Sequence, residues 1–316
     1  MWGNILVWLV IIAAAVLLGR LTFRAWHARN KVVKWVGVIV SGLFTIILAL
    51  VSVLMLVGMV KIYPLRSAPL PDLSVAGSPE QIERGRHLAN SFCAGCHSTT
   101  SELPLTGGVD IGKDFPMPLG SYISANLTPA GALKDWSDGE VFRAIRNGID
   151  RDGQVLFAMY SARGRHLSDD DIKAVIAYLR SEPAAGNETP KPLDQYNPLV
   201  LILMGAGMIP DGEPPITDAI TMPPKGPTAE FGRYILSYQD CVLCHGADLS
   251  GGKPGQLAPI GPNLGALKGW TPEQFITTMR TGVTPDGHAL NRQMPWRNIG
   301  RMDDEELTAS YAYITQ

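Results

Sequence analysis

Two five-residue segments carry the side chains best suited to chemistry, and they share one pattern. Cys93–His97 (CAGCH) and Cys241–His245 (CVLCH) each hold two thiols, with a histidine directly after the second. This spacing is typical of covalent haem c attachment, in which the thiols add to the two vinyl groups of one porphyrin. The adjacent histidine then supplies the proximal nitrogen to iron, which makes His97 and His245 the predicted iron ligands. The predicted porphyrin-attachment residues of the two haems are Cys93, Cys96, Cys241 and Cys244.

Paired cysteines have two other common uses, a zinc site and a redox-active dithiol. A zinc site with four cysteine ligands needs its two pairs close in sequence, whereas 144 residues, including a proline-rich stretch, separate these pairs. A redox-active CxxC lies in a strand–helix context, which surrounds neither pair. Haem attachment is therefore the favoured interpretation.

The residues around the two motifs recur in the same order, which predicts two copies of one module. The matches at an offset of 134 residues pair Trp136, Arg146, Gly148, Asp152, Gly153 and Leu156 with Trp270, Arg280, Gly282, Asp286, Gly287 and Leu290. The matches at an offset of 135 residues pair Met159, Ala174, Ala177 and Tyr178 with Met294, Ala309, Ala312 and Tyr313. We call residues 78–182 the first module and residues 228–316 the second module.

The repeat also selects candidates for the sixth iron ligand. A haem that shuttles electrons needs a soft, weak donor there, and methionine is the usual choice. Met159 and Met294 hold equivalent places ahead of the last predicted helix of each module, so we predict them as the ligands. Met117 competes with Met159 but has no counterpart in the second module. Three histidines are further candidates, namely His87, His166 and His288.

Further residues are expected to orient each haem and its histidine. The segment 261–264 (GPNL) resembles the loop of c-type cytochromes in which a proline carbonyl, here that of Pro262, accepts a hydrogen bond from the proximal histidine. Such a bond fixes the imidazole ring and raises its basicity. In the first module, residues 118–120 and residues 124–129 are alternative substitutes. The candidate partners for the haem propionates, with helix packing or solvated charge as the alternative, are Trp136, Trp270, Arg146 and Arg280.

Helix-start signals predict the same mainly α-helical plan for both modules, and no stretch alternates cleanly enough to predict a sheet. The pairs Ser137/Glu140 and Thr271/Gln274 have the spacing of a capping box. The predicted helices include residues 80–91, 137–147 and 168–181 in the first module and residues 228–238 and 303–314 in the second. Residues 183–227 contain ten prolines, which predicts an extended linker rather than a domain.

Residues 1–62 predict a transmembrane helical hairpin. Residues 2–19 are apolar except for Asn4, and residues 35–60 carry no charge, while about 20 apolar residues cross a bilayer. A cleaved signal peptide is the alternative for the first run, but no basic segment precedes it and no small-residue cleavage site follows it. The basic residues between the runs predict a cytoplasmic loop, with both modules on the outer, periplasmic face of a bacterial inner membrane. These residues are Arg20, Arg24, Arg29, Lys31 and Lys34.

The overall composition agrees with a membrane-anchored chain. Charged residues make up 18% of it, below the roughly 25% of an ordinary soluble protein, and the deficit lies in the first 60 residues. The net charge of −2 provides no basic footprint for nucleic acid. A shorter apolar run, residues 199–208, predicts a buried or interfacial segment.

With these motifs the chain resembles membrane-anchored dihaem c-type cytochromes. Residues 124–136 (SANLTPAGALKDW), followed by residues 146–148 (RNG), are similar to the haem domains of the cytochrome subunits of membrane-bound alcohol and gluconate dehydrogenases. The plan of an N-terminal anchor and two haem domains is similar to that of the dihaem subunit of certain haem–copper oxidases. The resemblance implies two class I cytochrome c-like domains and redox partner proteins, namely a larger membrane complex, a soluble cytochrome or both.

The predicted function is electron relay in a respiratory or photosynthetic chain or in a membrane oxidoreductase complex, without a catalytic site of the chain's own. A dihaem peroxidase is the enzymatic alternative, but it needs one iron with an open site, which two methionines in register disfavour. A haem sensor would need a folded cytoplasmic domain, and the predicted loop of about 15 residues is too short for one.

Overall fold

The computed structural model describes residues 1–210 and 212–316, without the side chain of Ser161, and it is mostly helical. The α-helices within these residues are α1 (Trp2–Trp26), α2 (Lys31–Ile62), α3 (Pro79–Leu88), α4 (Ala94–His97), α5 (Asp138–Asn147), α6 (Phe157–Ser161), α7 (Asp169–Ser181), α8 (Pro198–Gly205), α9 (Ala229–Tyr238), α10 (Cys241–His245), α11 (Pro272–Thr281), α12 (Trp296–Ile299) and α13 (Asp304–Ile314). Two strands, β1 (Gly120–Tyr122) and β2 (Asp194–Tyr196), pair in a small sheet. The expectation of no sheet was therefore wrong, because three-residue strands are too short to show alternation.

The chain forms two compact units. The hairpin unit comprises Met1–Leu65, Met117–Ser121 and Gln195–Glu213. The module unit comprises Arg66–Pro116, Tyr122–Asp194 and Pro214–Gln316, so it holds nearly all of both modules. The predicted linker is divided between the two units and contains β2 and α8, which its prolines did not reveal.

The hairpin unit begins with α1 and α2, each long and apolar enough to cross a membrane. Both helices are longer than the predicted spans, because the basic residues between those spans continue them instead of forming a loop. Arginine and lysine are good helix formers, which explains this extension. Only the residues from His27 to Asn30 separate the two helices, and the Asn30 side chain accepts hydrogen bonds from the first backbone N–H groups of α2.

The helix α8 packs closely on α2 within the hairpin unit. A Cβ atom added at Gly58 would lie 1.9 Å from the carbonyl oxygen of Leu201, and one added at Gly205 would lie 1.9 Å from that of Leu54. Two glycines thus let the backbones approach, as small residues do in membrane helix pairs. The predicted buried or interfacial segment is therefore an apolar helix of eight residues.

In the module unit, each module brings its first helix across its last. Where α3 crosses α7, a Cβ atom added at Gly85 would lie 1.8 Å from the carbonyl oxygen of Ala174. Where α9 crosses α13, a Cβ atom added at Gly232 would lie 1.9 Å from that of Ala309. The same glycine-dependent contact therefore closes both modules.

The middle helices α5 and α11 also begin and end alike. Capping boxes at Ser137 and Thr271 are formed as predicted. Both helices end at a glycine in the left-handed conformation, with φ of 61° at Gly148 and 72° at Gly282. A short antiparallel bridge follows each glycine and leads the chain to the candidate methionine.

Candidate haem-binding sites

Both CxxCH motifs lie on short helices. In the first module, a π-helical turn over Ala89–Cys93 continues directly into α4, and in the second, α10 spans the whole motif. Residues three apart on a helix share a face, so each pair of thiols can reach the same side of one porphyrin. All four cysteines are free of disulfide bonds.

A backbone carbonyl orients the histidine of the second module. His245 Nδ1 lies 2.7 Å from the carbonyl oxygen of Pro262, and because a carbonyl can only accept, Nδ1 carries the proton. The other ring nitrogen, Nε2, is then left as the donor for a metal. A Cβ atom at Gly261 would lie 2.7 Å from His245 Nδ1, so a glycine is needed beside the ring.

The histidine of the first module has the same kind of partner on a longer loop. His97 Nδ1 donates to the carbonyl oxygen of Ala125 at 2.9 Å, which selects the second of the two predicted segments, residues 124–129. Burial lowers the pKa of His97, against the opposing effect of this hydrogen bond. A neutral imidazole with a free Nε2 is the form that binds iron.

The two candidate methionines occupy related environments. Each follows a turn closed by a hydrogen bond of 2.8 Å, from Leu156 N–H to Gly148 O and from Leu290 N–H to Gly282 O. Met159 lies on α6 and is half-buried, and Met294 precedes α12 and packs against the core. Met117 is 39% exposed and belongs to the hairpin unit, whereas His97 belongs to the module unit.

The candidate propionate partners are engaged in helix contacts. Arg146 is buried; it donates to the carbonyl oxygen of Leu167 at 2.6 Å and to Asp169 Oδ1 at 2.6 Å. Arg280 is exposed and donates to Asp304 Oδ1 at 2.8 Å. Both arginines thus tie the middle helix of a module to the start of its last helix, and contact with a propionate stays a prediction.

The two candidate tryptophans are held by their backbones. The carbonyl oxygen of Trp136 accepts a hydrogen bond from Arg180 on α7, and that of Trp270 accepts one from Tyr311 on α13. Both indole rings are half-buried and pack against the core. Each ring is therefore fixed beside its module's last helix, and its role toward a haem also stays a prediction.

One candidate histidine already has a protein partner, and one buried arginine was not among the predicted residues. His87 donates to a carboxylate oxygen of Glu306 at 2.6 Å, which occupies its Nε2 atom. Arg143, which the sequence did not single out, is buried and its Nε atom has no hydrogen-bond partner within the described residues. The equivalent position in the second module is Thr277, so the repeat could not reveal Arg143.

A cavity of about 230 Å³ lies in the first module, beside the loop that holds His97. Its lining is mainly apolar and includes two cations, but it includes neither the cysteines nor His97 nor Met159, so it is not itself the surface that would hold a haem. The lining residues are Leu127, Thr128, Pro129, Leu133, Lys134, Val141, Ile176, Leu179 and Arg180. The donor set that fits haem c is the two free thiol pairs together with the two histidines whose Nδ1 atoms are held by backbone carbonyls.

A helical chain with CxxCH segments and carbonyl-oriented histidines has the features that define c-type cytochromes. Comparison with known families agrees. The chain belongs to the family described as cytochrome c oxidase, cbb3-type, subunit III, whose sequence model matches residues 80–179 and 227–314.

Several curated proteins are similar to the chain. The fructose dehydrogenase cytochrome subunit of Gluconobacter japonicus is 25% identical over 84% of this chain and 58% of its own length. The alcohol dehydrogenase (quinone) cytochrome c subunit of Gluconobacter oxydans is 27% identical over 64% of this chain and 47% of its own length. The gluconate 2-dehydrogenase cytochrome c subunit of Pantoea cypripedii is 27% identical over 52% of this chain and 37% of its own length. The chain thus spans less than two thirds of the length of each of these relatives.

Proposed function

We propose that the protein is an electron-transfer cytochrome that carries two haems c and relays single electrons as a membrane-anchored subunit. The observation that supports this most directly is the pair of CxxCH helices, each with its histidine Nδ1 held by a backbone carbonyl. Sites of this kind support electron transfer. The proposal therefore assigns the chain no catalytic reaction of its own.

Each part of the site has a distinct task. A bound haem supplies an iron that alternates between the ferric and ferrous states. The cysteines fix the porphyrin covalently, and the hydrogen bonds of His97 and His245 fix the ring orientation and raise the basicity of the ligand. The weak thioethers of Met159 and Met294 would supply the remaining ligand of each iron and would raise its potential.

The hairpin anchors this relay to lipid. Two spans would make the chain multi-pass, and the basic residues around the turn between α1 and α2 support a cytoplasmic position for that turn at a bacterial inner membrane. Both modules follow α2 and then lie on the periplasmic side, where CxxCH cysteines receive haem.

The partners follow from the similar proteins. Three relatives are named as cytochrome subunits of dehydrogenases, and the family description names an oxidase. We propose that the chain works in a larger membrane complex of one of these kinds, with a soluble cytochrome as a further exchange partner. A peroxidase is disfavoured because each module offers a methionine for the sixth position.

The test is to express the full chain in a host that matures c-type cytochromes and to purify it in mild detergent. Two haems per chain should survive acid-acetone extraction, and carbon monoxide should leave the spectrum unchanged. Replacing both Cys93 and Cys96 by alanine, or both Cys241 and Cys244, should leave one haem. Extractable haem, or no haem in the intact chain, would overturn the proposal.

Topology and partners need two separate measurements. Proteolysis of intact spheroplasts should release a haem-bearing fragment that begins after Lys61 and leave the turn between α1 and α2 protected. Protection of the haem-bearing part would reverse the proposed orientation. Co-purification of a dehydrogenase or an oxidase from native membranes would identify the complex.

A further inference from the structure

The two modules contact each other through pairs of residues that exchange roles. His87 on α3 of the first module donates to Glu306 of the second at 2.6 Å. Tyr234 on α9 of the second module donates to Asp171 of the first at 2.5 Å. His87 and Tyr234 each lie two residues after the crossing glycine of their helix. Asp171 and Glu306 each lie three residues after the N-cap of the last helix, so the two contacts are equivalent.

A second reciprocal pair joins the haem-binding segments themselves. Arg163 Nε, four residues after Met159, donates to the carbonyl oxygen of Ser237 at 3.2 Å. Asn298 Nδ2, four residues after Met294, donates to the carbonyl oxygen of Asn90 at 3.3 Å. Arg163 and Asn298 are equivalent in the repeat, and the two acceptors lie just ahead of Cys241 and Cys93. The segment that follows each methionine therefore contacts the segment that leads into the other module's cysteines.

Further contacts place the two attachment segments near each other. The backbone N–H of Arg163 donates to Asp240, the residue before Cys241, at 3.4 Å. Within the first motif, a Cβ atom added at Gly95 would lie 3.7 Å from Asn298 Oδ1, so the segment after Met294 also lies close to this motif. Exchange of the same contacts in both directions is the mark of an isologous interface, here formed within one chain.

The guanidinium group of Arg84 also joins the two modules. Arg84 donates to Asp171 at 2.8 Å and to Glu306 at 2.7 Å, and both carboxylates are buried. Oxygen and nitrogen atoms of His87, Asp303 and Glu306 also lie within 4.8 Å of one another, the spacing of a metal site. Arg84 already pairs with Glu306, and Lys225 pairs with Asp303, so the carboxylates have protein cations as partners. The cluster is therefore a clamp between the modules.

We propose that Arg163 and Asn298 are positioning residues, which hold the two attachment segments against each other and thereby set the rate of electron exchange between the two haems. This inference rests on the proposed function. The step oxidises ferrous iron in one module and reduces ferric iron in the other by one electron, and no bond or proton changes place. Because both residues donate to backbone carbonyls beside the cysteines, they set how each attachment segment faces the other.

The test uses the full chain in detergent with both haems bound. In the oxidised protein, electron paramagnetic resonance should show magnetic coupling between the two ferric irons. After flash reduction of one haem, electron exchange should equilibrate the pair. The double variant R163A/N298A should weaken the coupling and slow the exchange by about tenfold or more, since small displacements of reacting groups cost rate steeply. Haem content and the thioether bands should not change.

Matched variants separate positioning from general packing. R233A removes an exposed arginine of α9 and should keep the wild-type rate of electron exchange. R163K keeps a hydrogen-bond donor at position 163 and should also keep that rate. Uncoupled irons in the wild-type protein, or an unchanged exchange rate in R163A/N298A, would overturn the inference while two intact haems still support the proposed function. The magnetic coupling is measured on the wild-type protein. The inference can therefore be refuted by that measurement even if a variant fails to fold.

Discussion

The two modules share their helix crossings and differ in their loops. From His97 to the carbonyl that holds its ring the chain runs 28 residues, and from His245 to its acceptor it runs 17. Part of the longer loop, Met117–Ser121, belongs to the hairpin unit. The backbone contacts that glycines allow and the histidine bond are common to both modules, whereas the length of the loop between the histidine and its acceptor is not.

The methionine segments offer the sharpest difference between the modules. Met294 is followed by Pro295, whose ring fixes φ and removes a donor, whereas Met159 is followed by residues without this restraint. M159L and M294L should each remove half of the weak far-red absorption that reports ferric iron–thioether bonding and should lower the potential of one haem. Imidazole should bind the first iron at lower concentration than the second in the wild-type protein.

M117L is the control for these two variants and should leave both the far-red band and the potentials unchanged. Loss of the band in M117L, with M159L silent, would show that the repeat assigns the wrong ligand to the first module.

Glu306 tests the clamp between the modules. Burial opposes its ionisation, but the hydrogen bonds and charges of His87 and Arg84 prevail and lower the pKa of Glu306 to about 2. Its contribution is therefore complete above its ordinary pKa and is lost as the pH falls toward 2. E306Q should reduce the free energy of unfolding at neutral pH by about 3 kcal/mol and flatten the pH profile in that acid range.

Urea denaturation at several pH values measures this effect, with unfolding monitored by the circular dichroism of the helices. E305Q, which changes an exposed neighbour, should match the wild-type protein. An E306Q variant with wild-type stability at neutral pH would show that the clamp adds nothing to folding.

Gly85 and Gly232 test whether the same contact closes both modules. An alanine at either position would bring its Cβ atom within 2 Å of a backbone oxygen, so G85A and G232A should each destabilise their module by about 2 kcal/mol. Thermal unfolding should show the loss, whereas G269A, where a Cβ atom meets nothing within 4 Å, should not. A tolerated alanine at one site only would mean that the modules close differently.

The capping boxes give the smallest expected effect. S137A and T271A each remove the side-chain acceptor at the start of α5 or α11, so each should cost about 1 kcal/mol of unfolding free energy. Equal losses in denaturant titrations would support equivalent middle helices. A loss in only one module would show that the other helix is held by packing alone.

Local signals predicted the parts of this fold that depend on nearby residues. The capping boxes at Ser137 and Thr271 and the end of the first module's middle helix at Asn147 involve short sequence distances, whereas the role of Pro262 was implied by the resemblance of its loop to that of c-type cytochromes. The first module left two segments open for His97, because a 28-residue loop has many possible paths and no proline marks the acceptor. The clamp could not be predicted, since Arg84 and Glu306 are 222 residues apart and each looks like a solvated charge.

The crossing of α3 and α7 has a consequence for the order of events during biogenesis. Cys93 and Cys96 directly follow the first helix of the module, but the helix that packs across it is synthesised about 75 residues later, a separation that loop closure must bridge. With the proposed topology, the thiols emerge on the outer side of the membrane before their module can close. We expect the haem to be attached to an unfinished chain, which then folds around a prosthetic group already in place.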